Sequence, residues 1–449
     1  MSKKICTLIL AILMTVTLFA CTPAPETTSA PTTTPGPGAT TTDSSGKIEG
    51  TFTVWSPAEG FDSFDGKSWT DFMAIYPDIK VELIVLGTED AFAKIKTTIA
   101  SGASKELPTL NIIYDPNNIE AMTFDGIWED LSKDPYNFDL NTQLDFMQGL
   151  FKNDKGEILS MSTGNCIMGM TFNRNIAKTY FGTDDAEQIR GMFKSIDDYM
   201  SKGKELADKS GATVFLFNSV DHVVRLSLAS NNEPFVKDGK LNIDKSYGDA
   251  FKLVQQSVAD KSVSLQQVWS APWAAELQSD TNMFYVCPTW WLGDIKRMDP
   301  DAEGKGKYGL ISMPDNCVST WGGTFYFINA ASEPSAKRAA YEWMNWACAT
   351  VDGSKNWVEN NGQLTLCKAL YDVDSVFTTP DKWFADQPVG QVFREISQTD
   401  VPLRPGTIYD SAIANAANQA LLNLMQGGTA EAALAEMKAA VLALYPELG

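Results

Sequence analysis

The spacing of hydrophobic and polar positions changes period repeatedly along this chain. Thr51 to Trp55 (TFTVW) and Ile79 to Val85 (IKVELIV) read as strands, and Leu110 to Ile113 as a third. Between the first two, Trp69, Phe72, Met73 and Tyr76 recur at helical spacing until Pro77 stops the helix. Phe92, Ile95 and Ile99 mark the next helix, ended by Gly102. Strands alternating with helices predict an α/β fold with a largely parallel sheet covered on both faces. In such sheets ligands bind in the crevice beyond the carboxyl ends of the strands, where Trp55, Tyr114 and Asp115 fall by position.

The second half repeats the style. Ser195 and Asp198 have the spacing of a capping box for a helix ending at Gly211, and Thr213 to Phe217 reads as a strand. Met283 to Cys287 is a strand that runs straight into Pro288, Thr289, Trp290 and Trp291. Tyr308 to Ser312 and Thr324 to Asn329 are strand-like and flank a polar turn followed by Trp321-Gly322-Gly323, a large aromatic beside bare backbone. Ser332 is placed to cap the next helix, with Pro334 in its first turn and Ala336, Ala340, Trp343 and Ala347 on one face. A strand, an aromatic–glycine loop, a second strand and a packed helix make a place for a ligand, although Trp-Gly-Gly alone equally fits a turn with a buried indole. Ser411 to Leu444 reads as two amphipathic helices broken at Gly427-Gly428, with Leu434, Met437, Val441 and Leu444 as the core stripe of the second. Trp128, Trp343 and Trp346 lie on packing faces.

Composition narrows the function. The 449 residues are 44% hydrophobic and 20% charged, enough for two domains of roughly 200 residues each. A formal net charge of −20 argues against nucleic acid or an anionic lipid surface as partner. At the N-terminus, Lys3 and Lys4 precede an apolar run, Ile5 to Ala20, that is shorter than the roughly 20 residues needed to span a bilayer. Leu18-Phe19-Ala20-Cys21 resembles the lipobox of bacterial lipoproteins, in which the cysteine thiol receives a diacylglyceryl group and becomes the mature terminus. The alternative is an ordinary signal peptide that ends near a cysteine. Thr22 to Lys47 is almost wholly Thr, Pro, Ser, Ala and Gly and is expected to be a disordered tether. Residues 1–20 are thus read as a signal peptide, and 21–47 as a lipidated cysteine with its tether, leaving the protein anchored outside the cell.

Several chemistries lack their residues. The single histidine, His222, removes His-based zinc motifs and is read as structural or surface-lying. No G-x-x-x-x-G-K-[ST] occurs, and no G-x-G-x-x-G follows a strand. Past Cys21, the five cysteines Cys166, Cys287, Cys317, Cys348 and Cys367 are odd in number and have neither redox nor zinc spacing, so most are expected in the core. Asp372-Val373-Asp374 begins like a calcium loop but lacks its later glycine and acid. No cofactor and no metal is expected. The 56 acidic residues do leave room for a carboxylate pair, so a secreted polysaccharide-active enzyme of the glycoside hydrolase class stands as the alternative function. A surface adhesion module is a third.

In order, GTFTVW, FMAIYPDIKVELI, KIKTTIASGASKELPTLNIIYD, GIWEDLS, MTFNRNIAKTYFG, SIDDYMSKGKELA, CPTWWLGDIK and NGQLTLCKALYD resemble the successive motifs of the extracellular solute-binding proteins of bacterial ABC importers, in the sugar-binding group that includes maltodextrin-binding protein. The resemblance runs from about Gly50 to Leu444. Two departures stand out: Met313-Pro314 replaces Leu-Pro, and Leu364-Thr365-Leu366-Cys367 replaces Leu-Pro-Ala-Arg, which removes an arginine contact from that segment. The resemblance implies a type II periplasmic-binding-protein-like fold of two lobes, 48–164 with 318–363 and 165–317 with 364–449, joined near Gly164–Cys166, Asn316–Ser319 and Gln363–Leu366. It implies a monomeric binding subunit, with no catalysis, that captures a sugar or oligosaccharide and closes on it by a hinge. The subunit then delivers its sugar to the transmembrane permease subunits. Trp55, Tyr114, Asp115, Trp290, Trp291, Trp321, Gly322 and Gly323 are the expected ligand-binding residues, since a sugar ring stacks its C–H face on an indole while its hydroxyls need polar partners.

Overall fold

The computed structural model describes residues 48–57, 64, 66–86 and 88–449. The expectations for Met1–Ala20, for lipidation at Cys21 and for the tether Thr22–Lys47 lie outside the described residues.

Two sheets organise the body. β1 (Gly50–Pro57), β2 (Ile79–Leu86), β3 (Leu110–Tyr114), β4 (Met161–Ser162) and the distant β11 (Thr324–Ile328) form one, in the order β2-β1-β3-β11-β4. β5 (Met168–Asn173), β6 (Phe215–Phe217), β9 (Asn282–Pro288) and β10 (Tyr308–Ser312) form the other, in the order β10-β5-β9-β6. A small hairpin, β7 (Val236–Lys237) with β8 (Lys240–Leu241), stands apart from both. The chain passes from the first sheet to the second between β4 and β5, and returns between β10 and β11.

Those passages correct the expectation of largely parallel sheets. β1 runs parallel to both β2 and β3, but β11 runs antiparallel to β3 and β4. In the second sheet only β6 and β9 are parallel, while β5 opposes both β9 and β10. The reason is topological. A strand arriving from the other lobe enters its sheet at the edge where the neighbouring strand leaves, so it must run against that neighbour.

The local predictions hold where periodicity was strong. Helices cover Lys67–Ile75 and Thr88–Ala100, and Gly102 follows the second in the left-handed region at φ +75°. Ser195 and Asp198 form a complete capping box on the helix Ile196–Ser210, closed by left-handed Gly211. Ala336, Ala340, Trp343 and Ala347 are all buried on the helix Pro334–Ala349. Its N-cap is Glu333 rather than Ser332, because the backbone at Glu333 is still extended (φ −60°, ψ 141°) and the helix begins only at Pro334. Trp343 packs against Phe64, Trp69 and Phe72 at ring separations of 5.4–5.5 Å, and Trp128 and Trp346 are buried in the same core. Burial of each such side chain contributes about 1.5–3 kcal/mol. The five cysteines are buried and unpaired among the described residues.

The last two helices are Asp410–Met425 and Ala430–Leu444. Met437 and Val441 are buried, but Leu444 is 67% exposed and leaves the predicted core stripe. The buried face runs through Ala430, Ala433, Met437 and Val441, and it is Tyr445 beside Leu444 that turns back onto Tyr409, at 4.9 Å. Among the described residues no helix is long and apolar enough to cross a membrane.

Candidate functional site

The carboxyl ends of β1, β3, β6 and β9, the exit of β10 and the entry of β11 bring several loops together. The join between the first sheet and the Trp-Gly-Gly loop is made by backbone: Asp115 N–H donates to Gly323 O at 3.0 Å, continuing the β3–β11 ladder beyond its last pair, Tyr114 with Thr324. Gly322 sits at φ +77°, where a side chain is strained, and a Cβ on Gly323 would lie 2.8 Å from the Phe325 ring. Both glycines therefore serve the turn that presents Trp321.

Trp321 is the centre of an aromatic wall. Trp290 donates its indole N–H to Trp321 O at 2.9 Å, and the two rings stand 5.2 Å apart at 74°. The helix Val220–Leu228 follows β6, capped by Ser219, and places Arg225 with its guanidinium 3.6 Å from the Trp321 ring centroid. Asp221, one turn earlier, accepts from Arg225 Nε at 2.7 Å and fixes the head group in that pose. His222, on the same helix, meets the Trp321 ring edge to face at 5.9 Å.

The wall extends outward through Trp269. Its ring stacks on Trp290 at 6.0 Å and 28°, and it is 55% exposed. It also adopts φ +68°, uncommon for a bulky residue and characteristic of strained functional loops. Trp291 lies behind this wall: it is 1% exposed and packs against Trp269, Trp273 and Trp290. Opening the helix Trp291–Met298, it turns inward where Trp290 turns outward, and so buttresses the wall.

From the first sheet come Trp55, Tyr114 and Asp115. Trp55 is 7% exposed and carries Lys94 Nζ 4.1 Å above its ring. Tyr114 is half-buried. Water reaches Asp115 along the cleft, yet the protein walls crowding it raise its carboxyl to about 6, helped by the charge of Asp410 and opposed by Arg225. Asp410, at the start of its helix, accepts from Thr407 N–H and from the Thr407 hydroxyl, and burial holds its carboxyl above the usual range. Among the described residues no side chain donates to the Asp115 carboxylate. The arrangement can stack planar C–H surfaces and accept hydrogen bonds.

The sequence reading therefore placed Asp115, Trp290, Trp321, Gly322 and Gly323 in one neighbourhood. It missed Arg225, Trp269 and Asp410. Arg225 was detectable only as the i+4 partner of Asp221, a spacing shared by many solvated helix pairs.

A family profile described as bacterial extracellular solute-binding protein matches residues 67–386. The lactose-binding protein of Rhizobium radiobacter is 22% identical over 369 residues, 78% of this chain and 83% of its own. Among solved structures, the ABC transporter associated binding protein from B. animalis subsp. lactis Bl-04, in complex with beta-1,6-galactobiose, superposes with a TM-score of 0.68 at 20% identity, covering 88% of this chain and 97% of its own. Maltose-bound T. maritima MalE3 gives 0.66 at 18% identity, covering 88% and 99%. These neighbours are binding proteins, not enzymes, and share the two-lobed α/β architecture. The chain belongs to the bacterial extracellular solute-binding proteins.

Proposed function

We propose that this chain is the sugar-capturing subunit of an ABC importer, and that its ligand sits between Asp115 on one lobe and Trp269 and Trp290 on the other, with Trp321 at the chain crossing that joins them. The observation that carries this reading is the pairing of an indole wall with an accessible carboxylate that lacks a side-chain donor. Sugar rings present apolar C–H faces and hydroxyl edges together, and few other solutes need both. The sugars bound by the lactose, galactobiose and maltose binders support the class. Trp55 and Tyr114 line the first-lobe side, and Trp291 supports the wall from behind.

In this reading one lobe comprises 48–164 and 318–363 and the other 165–317 and 364–449, as the two-sheet topology supports. Several chain crossings restrict their motion to a hinge bend, so ligand favours the closed state through contacts made to both lobes. The closed surface is what a permease would recognise. Lipidation at Cys21 and the tether to Lys47 would hold a monomer at the cell membrane, facing outward.

Calorimetry and X-ray scattering across a panel of mono- and disaccharides test the reading. Saturable binding, a smaller radius of gyration with ligand, and recovery of the sugar intact are expected. A cleaved sugar, or no binding to any member, would overturn it.

A further inference from the structure

A groove of about 640 Å³, within the size range of ligand pockets, opens beside the site just described. One bank is Phe92, Lys96, Asn117 and Glu120, from the first-sheet side. The other is the helix Asp410–Met425, with Gln267, Ile408 and the end of the last helix at Leu444.

We propose that this groove is an extension subsite that holds the further sugar units of an oligosaccharide whose first ring lies on the tryptophan wall. The inference rests on the sugar-binding reading and names the length class of its ligand.

Three stretches carry the argument, because each contributes to both places. Asp115 belongs to the site, and Asn117, two residues on, lines the groove. Trp269 forms the outer wall, and Gln267, two residues before it, lines the groove. Asp410 faces Asp115, and its neighbour Ser411 lines the groove. A ligand leaving the wall at its exposed Trp269 end therefore enters the groove without crossing open solvent.

The lining has the chemistry of a glycan site. Five amides face it: Asn117, Gln267, Asn415, Asn418 and Gln419. Among the described residues none of the five is hydrogen-bonded through its side chain. For exposed Asn415 and Gln419 water is an adequate partner. Asn117 is the most enclosed of the five, only 7% exposed, and the amide it turns to the groove has water or a ligand hydroxyl as its partner. Amides offer a donor and an acceptor on one plane, which suits the alternating demands of vicinal hydroxyls.

Helix geometry accounts for the polar bank. Ser411, Asn415 and Gln419 recur every four residues and share one face, while Ile413, Ala417, Ala420 and Leu424 bury the opposite face in the core. Between the amides, Ala412 and Ala416 keep the groove wide, and Phe92, Ile408 and the exposed Leu444 supply apolar surface for C–H faces. Among the described residues the only charges lining it, Lys96 and Glu120, pair with each other at 3.3 Å, so this lining carries no net charge and suits a neutral chain.

The test is calorimetry on the full chain with matched pairs of probes, lactose against galactosyl-lactose and maltose against maltotriose. The wild type should bind the trisaccharide of at least one pair ten-fold or more tighter than its disaccharide. The double variant Asn415→Ala/Gln419→Ala, on the exposed face, should bring that trisaccharide back to disaccharide affinity and leave disaccharide binding unchanged. Disaccharide binding with no length dependence would overturn the extension subsite alone, as would a variant that weakens both lengths equally. Failure of every probe to bind would instead remove the sugar reading on which the inference rests.

Discussion

The Arg225 guanidinium lies over the face of the Trp321 indole, 3.6 Å from its centroid, with Asp221 holding it there. One face of Trp321 is therefore already occupied, and a sugar bound as proposed would meet the other face or the edge shared with Trp290. A cation over an indole is worth about 0.5–2 kcal/mol, more as water is excluded. Arg225→Met keeps the aliphatic stem but removes that orientation and the positive charge beside Asp115. Sugar affinity should fall roughly three- to thirty-fold, while the melting temperature of the free protein shifts by only a few degrees. Calorimetry paired with thermal melting reads both, and unchanged affinity would remove Arg225 from the site.

The wall and its buttress should separate on truncation. Trp269→Ala removes an exposed ring and should cost little stability but about 1–3 kcal/mol of sugar binding, the scale of planar stacking on aromatics. Trp291→Ala opens a cavity behind the wall and should destabilise the fold by about 3–5 kcal/mol. Urea unfolding of the two variants gives the comparison. A Trp291→Ala protein as stable as the wild type would place that ring in the cleft after all.

What the chain reveals before folding follows from the range of the forces involved. Strand ends rich in aromatics, such as Cys287 to Trp290, are legible because period and composition are local. The capping box at Ser195 is legible for the same reason. The contact between Arg225 and Trp321 is tertiary, made between segments far apart in sequence, and its local signature is an ordinary i, i+4 ion pair. Trp269 lies in a loop at positive φ, where no periodicity marks a facing direction. Leu444 continues the apolar stripe into solvent, since alanines at Ala430 and Ala433 share the buried face with Met437 and Val441 and the apolar pattern does not mark that face's centre. The direction of β11 depends on which lobe the chain arrives from, which alternation of strands and helices does not encode.

Anchoring is tested outside the fold. If Cys21 is lipidated, Cys21→Ser should leave the protein uncleaved or release it from the cell. Phase partitioning of the two forms after maturation decides the matter. A Cys21→Ser protein that still partitions with lipid after normal processing would defeat the lipobox reading.

Asp115 should trade stability for binding. Its carboxyl is raised from an ordinary 3.8 to about 6 in the fold, so the native state holds the proton more tightly than the unfolded chain. Its contribution to stability is therefore fully present below about 3.8 and is lost as pH rises through 6. Asp115→Asn should raise the melting temperature of the free protein at pH 7.5, with the advantage vanishing near pH 4. The same change should weaken sugar binding at pH 7.5, because the amide has one acceptor oxygen where the carboxylate has two. Melting curves at the two pH values, with and without sugar, show whether one residue carries both effects.

His222 should act in the opposite sense over the same acid range. It is 1% exposed, its Nδ1 has no hydrogen-bond partner among the described residues, and burial lowers its pKa from 6.5 to about 4. Asp221 counters that shift in part and Arg225 adds to it, so the ring is neutral in the fold at pH 5 while the unfolded chain is protonated. Its contribution is intact above about 6.5 and is lost as pH falls toward 4, a change of about 3 kcal/mol at most. Because the ring also packs edge-on against Trp321, charging it would disturb the wall as well as the core. His222→Leu, which cannot titrate, should flatten the fall in urea stability between pH 7 and pH 4.5. Combining it with Asp115→Asn removes the opposing slope and isolates the histidine. Parallel pH profiles for the wild type and His222→Leu, measured in the Asp115→Asn background, would show that His222 is not held neutral by the fold.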